Sequence, residues 1–211
     1  MSTELLVETP YGEGRLVTAR AHHPVATLLL GHGAGNGIEA RDLEALAHYL
    51  PRNGVSVVRF EQPWRRAGRK VATAPATLDE ALVAASDRLR VRTPLILGGR
   101  SAGARSAARC AKRLGARACL ALAFPLHPPG RPEKSRVDEL VGAGVPLMVV
   151  QGERDTMGRP DEFPTDLDLS VVPGADHGFK VPAKGPITQE QAMDIVVESA
   201  LEWIVREIVG E

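Results

Sequence analysis

Apolar residues fall along this chain in three patterns. Val25 to Leu30, Val55 to Phe60, Leu95 to Gly98, Ala118 to Ala123 and Pro146 to Gln151 are short, mostly apolar runs without polar alternation. Strands covered on both faces read this way, as in a parallel sheet between helices. Between the runs stand segments with helical spacing. Leu43, Leu46, Ala47 and Leu50 share one face of a helix predicted over 39–52, which Gly54 stops. A second helix is predicted to start at Thr77, with Glu80 completing a capping box, and to run to about Arg90. A third follows Ser101 and ends near Leu114-Gly115; a short one ends near Ala143. The last runs from Glu190 to Val209, with Ile195, Val196, Ala200, Trp203 and Ile204 facing inward. The third pattern is N-terminal: two short strands, Leu5 to Glu8 and Arg15 to Ala19, joined at Pro10-Tyr11-Gly12. A further strand is predicted over Leu167 to Val172, and 61–75 reads as a basic loop.

Strands alternating with helices after a hairpin-like pair specify an α/β fold with a mostly parallel central sheet and helices on both faces. At 211 residues the chain is expected to form a single domain, 1–211, with a sizeable core. No stretch between elements is long enough for a separate lid, so the site should be open and bordered by 61–75 and 124–135.

Composition narrows the function. The formal net charge is +0 and aromatic residues make up 4%, so neither a basic field nor stacking platforms point to nucleic acid. No run reaches the roughly 20 apolar residues of a membrane span, and Met1-Ser2-Thr3-Glu4 has no basic leader, so a cytoplasmic protein without membrane partners is expected. Cys110 and Cys119 read as buried free thiols of a reduced compartment.

The chemistry centres on Gly99-Arg100-Ser101-Ala102-Gly103, between an apolar run and a small-residue helical stretch. Strand, tight turn and helix are the context in which G-x-S-x-G acts as a nucleophile elbow. A serine on so sharp a turn is strained, and its neighbours must lack bulk. An activated serine needs a base and an acid that orients the base. His177, in Gly174-Ala175-Asp176-His177-Gly178-Phe179 after a strand, is the expected base. Asp155, in Gly152-Glu153-Arg154-Asp155 after another, is the expected acid, with Glu153 and Asp161 as rivals in the same loop. Asp176 is expected to fix the histidine loop. The serine, acid, histidine order is that of α/β-hydrolases. His32-Gly33-Ala34-Gly35 fits an oxyanion loop, in which the backbone N–H groups of Ala34 and Ala102 would receive the developing charge. His32, Glu61 and His127 are candidates for the pocket border, His32 with an expected role in holding its loop. Gly31 to Gly37 lacks the Gly-Lys-Ser/Thr ending of a phosphate loop, and no His/Cys/Asp spacing suits a metal.

Taken together, these motifs resemble the α/β-hydrolase superfamily. Phe60-Glu61-Gln62-Pro63, the proline-rich stretch Phe124 to Lys134 and Gln151-Gly152-Glu153-Arg154-Asp155 are similar to a small lidless branch related to dienelactone hydrolases and to an animal chromatin-complex subunit. The resemblance implies Ser101 as nucleophile, Asp155 as acid and His177 as base. Dienelactone hydrolases use a cysteine nucleophile where this chain has Ser101, so lactone chemistry is not implied. The expected activity is hydrolysis of small carboxylic esters or thioesters without a cofactor. The alternative is a catalytically silent interaction module with a protein partner.

Overall fold

The computed structural model describes residues 2–209. Its centre is one eight-stranded sheet. The strands are β1 (Ser2–Thr9), β2 (Gly12–Ala19), β3 (Ala26–Gly31), β4 (Val55–Glu61), β5 (Leu95–Arg100), β6 (Ala118–Leu122), β7 (Leu147–Gly152) and β8 (Asp168–Val172). The helices are α1 (Arg41–Tyr49), α2 (Pro63–Arg66), α3 (Pro75–Leu89), α4 (Ala102–Cys110), α5 (Val137–Val141) and α6 (Gln189–Val209). Spatial order is β1-β2-β4-β3-β5-β6-β7-β8. The first two ladders, β1 on β2 and β2 on β4, are antiparallel, and every later pairing is parallel.

The unbroken apolar runs are the central strands. Every residue of β3, β5, β6 and β7 is buried, because helices cover both faces. One core layer joins Leu28, Leu30, Leu43, Val57, Leu120 and Trp203 beneath α1 and α6. The other joins Leu29, Phe60, Leu82, Leu97, Cys119 and Val149 beneath α3, α4 and α5. Alternate side chains of one strand enter opposite layers. The fold is the expected one, without a separate lid among the described residues.

Three local expectations are corrected. Thr77 is not a helix cap. Pro75, with its fixed φ, begins α3 two residues earlier, so Thr77 lies inside the first turn and Glu80 instead pairs with Arg113 at 2.7 Å. The 61–75 segment is not all loop. Pro63 starts the one-turn helix α2 immediately after β4, and Trp64 is buried on it. The helix predicted over 39–52 is shorter as an α-helix, with 3-10 turns at Gly37–Glu39 and Leu50–Asn53; Gly54, at φ +83°, ends it as expected.

Helix α4 is anchored by charge. Arg109 donates from Nε and Nη2 to Asp79 at 2.8 and 2.7 Å and from Nη1 to Glu139 at 3.0 Å. Ser106 donates to Asp79 at 2.6 Å, and Arg105 grips Glu139 through two bonds. These contacts tie α3, α4 and α5 into one layer. The helix that starts at the candidate nucleophile is thereby fixed along its length.

Candidate active site

Ser101 lies between the end of β5 and the start of α4, with φ +53° and ψ −115°. A non-glycine residue pays for that conformation, and the surroundings enforce it. The Ser101 N–H is bonded to the Leu122 carbonyl at 3.0 Å, and its own carbonyl accepts the Arg105 N–H at 3.2 Å. Strand β6 therefore holds the turn from one side while the helix pulls from the other. Close backbone approach completes the constraint. A Cβ at Gly99 would sit 2.5 Å from the Gly103 carbonyl carbon and 2.8 Å from the Gly31 oxygen. One at Gly103 would collide with the Gly31 carbonyl and stand 2.8 Å from His32 N. The glycines of the motif are there because β3, β5 and α4 touch backbone to backbone.

The loops after β7 and β8 bring the other two groups to this turn. The His177 Nε2 lies 2.9 Å from Ser101 Oγ, and its Nδ1 lies 2.7 Å from Asp155 Oδ2. With Nδ1–H donating to the carboxylate, Nε2 is left free to accept the serine proton. Asp155 is fully buried, whereas the His177 side chain keeps 24% exposure. The buried carboxylate is well supplied with donors: Oδ1 accepts the Met157 N–H at 2.8 Å, and Oδ2 also accepts from Gln151 Nε2 at 2.8 Å. In the sequence Gln151 is only the end of an apolar run and the start of a motif, with no role attached to it. As the penultimate residue of β7, it is a polar side chain at 0% exposure, and it also donates to the Phe124 and Gly158 carbonyls. A glutamine ending an apolar run was the available signal.

The two loops are sewn to each other. The Arg154 N–H donates to the Ala175 carbonyl at 2.8 Å and the Glu153 N–H to that of Val172 at 3.1 Å. A Cβ at Gly152 would meet the Ala175 and Asp176 carbonyl oxygens at 2.6 Å, so the histidine loop rests directly on that glycine. The rival acids are placed elsewhere. Glu153 accepts the Gly174 N–H at 2.6 Å, and Asp161 lies in an exposed 3-10 turn. Asp176 accepts the N–H groups of Gly178 and Lys180, which shapes the turn carrying His177.

Ala102 is the first residue of α4, where an N–H has no acceptor within the helix. Ala34 lies in an exposed turn beyond β3. His32, two residues before it, is buried. It receives the Gln62 N–H on Nε2 at 3.0 Å and donates from Nδ1 to the Gly33 carbonyl at 2.7 Å. Burial lowers its pKa, in keeping with the neutral ring that this bonding requires. His32 is thus a strut between the β3 and β4 loops.

Two other pocket candidates are bonded to partners other than the serine. Glu61, on the last residue of β4, is paired with Arg15 on the neighbouring β2 at 2.9 Å. His127 bridges the Pro128 carbonyl and Glu162 at 2.9 and 2.8 Å, and its N–H donates to the Met157 carbonyl. It binds the proline-rich segment to the Asp155 loop. The bond to Pro128 and the Glu162 carboxylate raise its pKa, and Glu162, held by the Arg159 N–H and by His127, is lowered. The 61–75 segment walls a cavity of about 300 Å³ with Gln62, Trp64, Arg69 and Thr73, none of which touches Ser101 in the hydrogen bonds described. Among the described residues no group of three metal-ligating side chains converges, and no helix is long and apolar enough to cross a membrane.

Comparison with solved structures agrees with this architecture. A lidless serine hydrolase of Xanthomonas campestris superposes with a TM-score of 0.71 at 20% identity, covering 96% of this chain and 94% of the other. The dienelactone hydrolase of Anabaena variabilis gives 0.74 at 18%, covering 98% and 97%. The esterase domain of a Rhodothermus marinus protein gives 0.71 at 15%, with full coverage of both chains. At these identities the likeness speaks for the fold. A family model described as an alpha/beta hydrolase domain matches residues 24–205, which hold the six strands β3 to β8 and the loops that carry Ser101, Asp155 and His177, and the chain belongs to that family.

Proposed function

We propose that this chain is a serine-dependent hydrolase of small carboxylic esters or thioesters, working as a single domain through an acyl-enzyme. The observation that supports it is the continuous hydrogen-bond relay from Ser101 through His177 to a buried Asp155, at 2.9 and 2.7 Å. In the first half-reaction His177 Nε2 takes the Ser101 proton as Oγ attacks the substrate carbonyl. The oxyanion forms against the N–H groups of Ala102 and Ala34. One such donor is worth about 2.7–4 kcal/mol in the transition state. The C–O or C–S bond then breaks, and His177 returns the proton to the leaving alcohol or thiol. In the second half-reaction His177 deprotonates a water that attacks the acyl carbon, and Ser101 is regenerated with release of the acid. Asp155 holds the ring in the required tautomer and favours its positive charge. The scheme uses no cofactor. Two buried, unbridged thiols suit a reducing compartment such as the cytoplasm.

The neighbours described as a serine hydrolase and as an esterase favour the same reaction class. The test is intact-mass spectrometry after incubation with a fluorophosphonate. One adduct is expected on the wild-type protein, none on Ser101→Ala, and a slow one on His177→Ala. An unlabelled wild-type protein would refute the proposal and favour the silent interaction module instead.

A further inference from the structure

Arg100 occupies the variable position immediately before Ser101, yet its side chain is only 9% exposed and reaches the His177 loop, the Gly33 loop and α1. Nη2 donates to the His177 carbonyl at 2.6 Å. Nη1 lies 3.0 Å from where a Gly33 Cβ would stand, against the loop carrying Ala34. Nε lies 3.3 Å from Oδ2 of Asp42, on the first turn of α1. Asp42 is fully buried, and neither of its oxygens has an aligned hydrogen-bond donor. Burial raises its pKa, and the facing guanidinium is the largest influence that opposes this.

We propose that Arg100 is a positioning residue that sets the His177 loop against Ser101 and the Gly33 loop, and that Asp42 orients Arg100 for this purpose. The proposal rests on the roles given above to Ser101 and His177. The physical argument is one of geometry and charge. Arginine presents a rigid fork of donors, so one head can serve a carbonyl on one edge and a carboxylate on the other. A buried carboxylate whose strongest opposing influence is that one head, ahead of its own and the Leu43 N–H groups and of Arg41, restrains where the head lies, since displacement gives up the largest of its compensations. The His177 backbone is therefore referenced, through a single side chain, to the residue next to the nucleophile. Gly33 leaves room for the head, since a Cβ there would press on Nη1, whereas a Cβ at Gly178 would meet Nη2 in ordinary contact at 3.7 Å.

Arg100→Lys separates the two duties. The ammonium still neutralises Asp42, so the variant is expected to fold, but it cannot serve both partners as the fork does. The measurements are a thermal melt, kcat and KM on a p-nitrophenyl ester, and the ring ¹⁵N shifts of His177, assigned by their loss in His177→Gln. The expected result is a fall in kcat of about tenfold to a hundredfold with KM unchanged, together with displaced His177 ring shifts. Wild-type kcat and wild-type ring shifts would overturn the proposal. A slower enzyme with unmoved ring shifts would overturn it too, since the loss would then bypass His177. Should the lysine variant not fold, Arg100→Met combined with Asp42→Leu removes both charges together and is read the same way. If the wild-type protein shows no turnover and no fluorophosphonate adduct, the hydrolase reading fails. The ring shifts then decide alone whether Arg100 positions His177.

Discussion

Adding one methyl group at Gly103 tests whether the elbow is held by backbone contact. A Cβ there stands 2.8 Å from His32 N and closer still to the Gly31 carbonyl, where ordinary contact begins at 3.4 Å. Both obstacles are backbone and cannot rotate away. For Gly103→Ala, α4 must therefore withdraw from β3 by about 0.9 Å, the shortfall against the Gly31 oxygen at 2.5 Å, carrying Ser101 with it, since a close-packed interior has no slack to absorb the methyl. Overpacking of this kind costs about 1–3 kcal/mol. For a chain of this length that lowers Tm by roughly 2–12 °C. The kinetic cost is the sharper readout. The Ser101–His177 contact of 2.9 Å and the Ala102 N–H both move with the turn. A displacement approaching 1 Å costs on the order of a hundredfold in rate. The assay is the rate constant for fluorophosphonate acylation, measured well below Tm. Gly35→Ala is the control, because a Cβ there meets nothing within 4 Å. Acylation of Gly103→Ala at the wild-type rate would refute the claim that this backbone contact sets the nucleophile.

Arg109→Met removes three hydrogen bonds to Asp79 and Glu139 from partly buried partners. The expected loss is about 2–3 kcal/mol, or roughly 4–12 °C in Tm, read by calorimetry. The His127–Glu162 clamp predicts a pH-dependent stability. The raised His127 pKa means its contribution is full below the unfolded value near 6.5 and fades as pH rises through the folded value. The lowered Glu162 pKa removes its share only as pH falls below the ordinary carboxylate range. The Tm gap between wild type and His127→Gln should thus narrow from pH 6 to pH 9, and a constant gap would contradict the charged clamp. Burial pushes the thiols of Cys110 and Cys119 up to about 11 and about 12. Neither should react with a disulfide reagent at pH 8 until the protein unfolds, whereas prompt titration of either would place it in contact with solvent.

The sheet was legible because its signals are local and redundant. Val25 to Leu30 or Ala118 to Ala123 can hardly be other than doubly covered strands, and the order of serine, acid and histidine follows from which loops leave their carboxyl ends. Helix starts were less legible where two signals competed. Thr77 and Glu80 spell a capping box, but Pro75 sets the backbone first. Side-chain direction was not legible at all. Glu61 ends β4 and His127 lies on the loop after β6, yet one turns sideways to Arg15 and the other to Glu162. Arg100 and Gln151 show the converse. Their importance comes from partners 77 and 4 residues away, a matter of which loops approach which in space.

The serine and the histidine that meet across 2.9 Å are separated by 76 residues, with β6, β7 and β8 made between them. On the ribosome, Ser101 emerges long before any base exists to meet it. Strands β7 and β8 also lack their cover until α6, with Val196, Ala200 and Trp203 on its buried face, has been synthesised. Until then the serine stands beside an uncovered apolar sheet face. Helix α6 also holds the chain that follows His177, since Gln189 donates to the Phe179 carbonyl at 2.8 Å and accepts the Val181 N–H at 3.3 Å, so the element that completes the core is also bonded to the loop that carries the histidine.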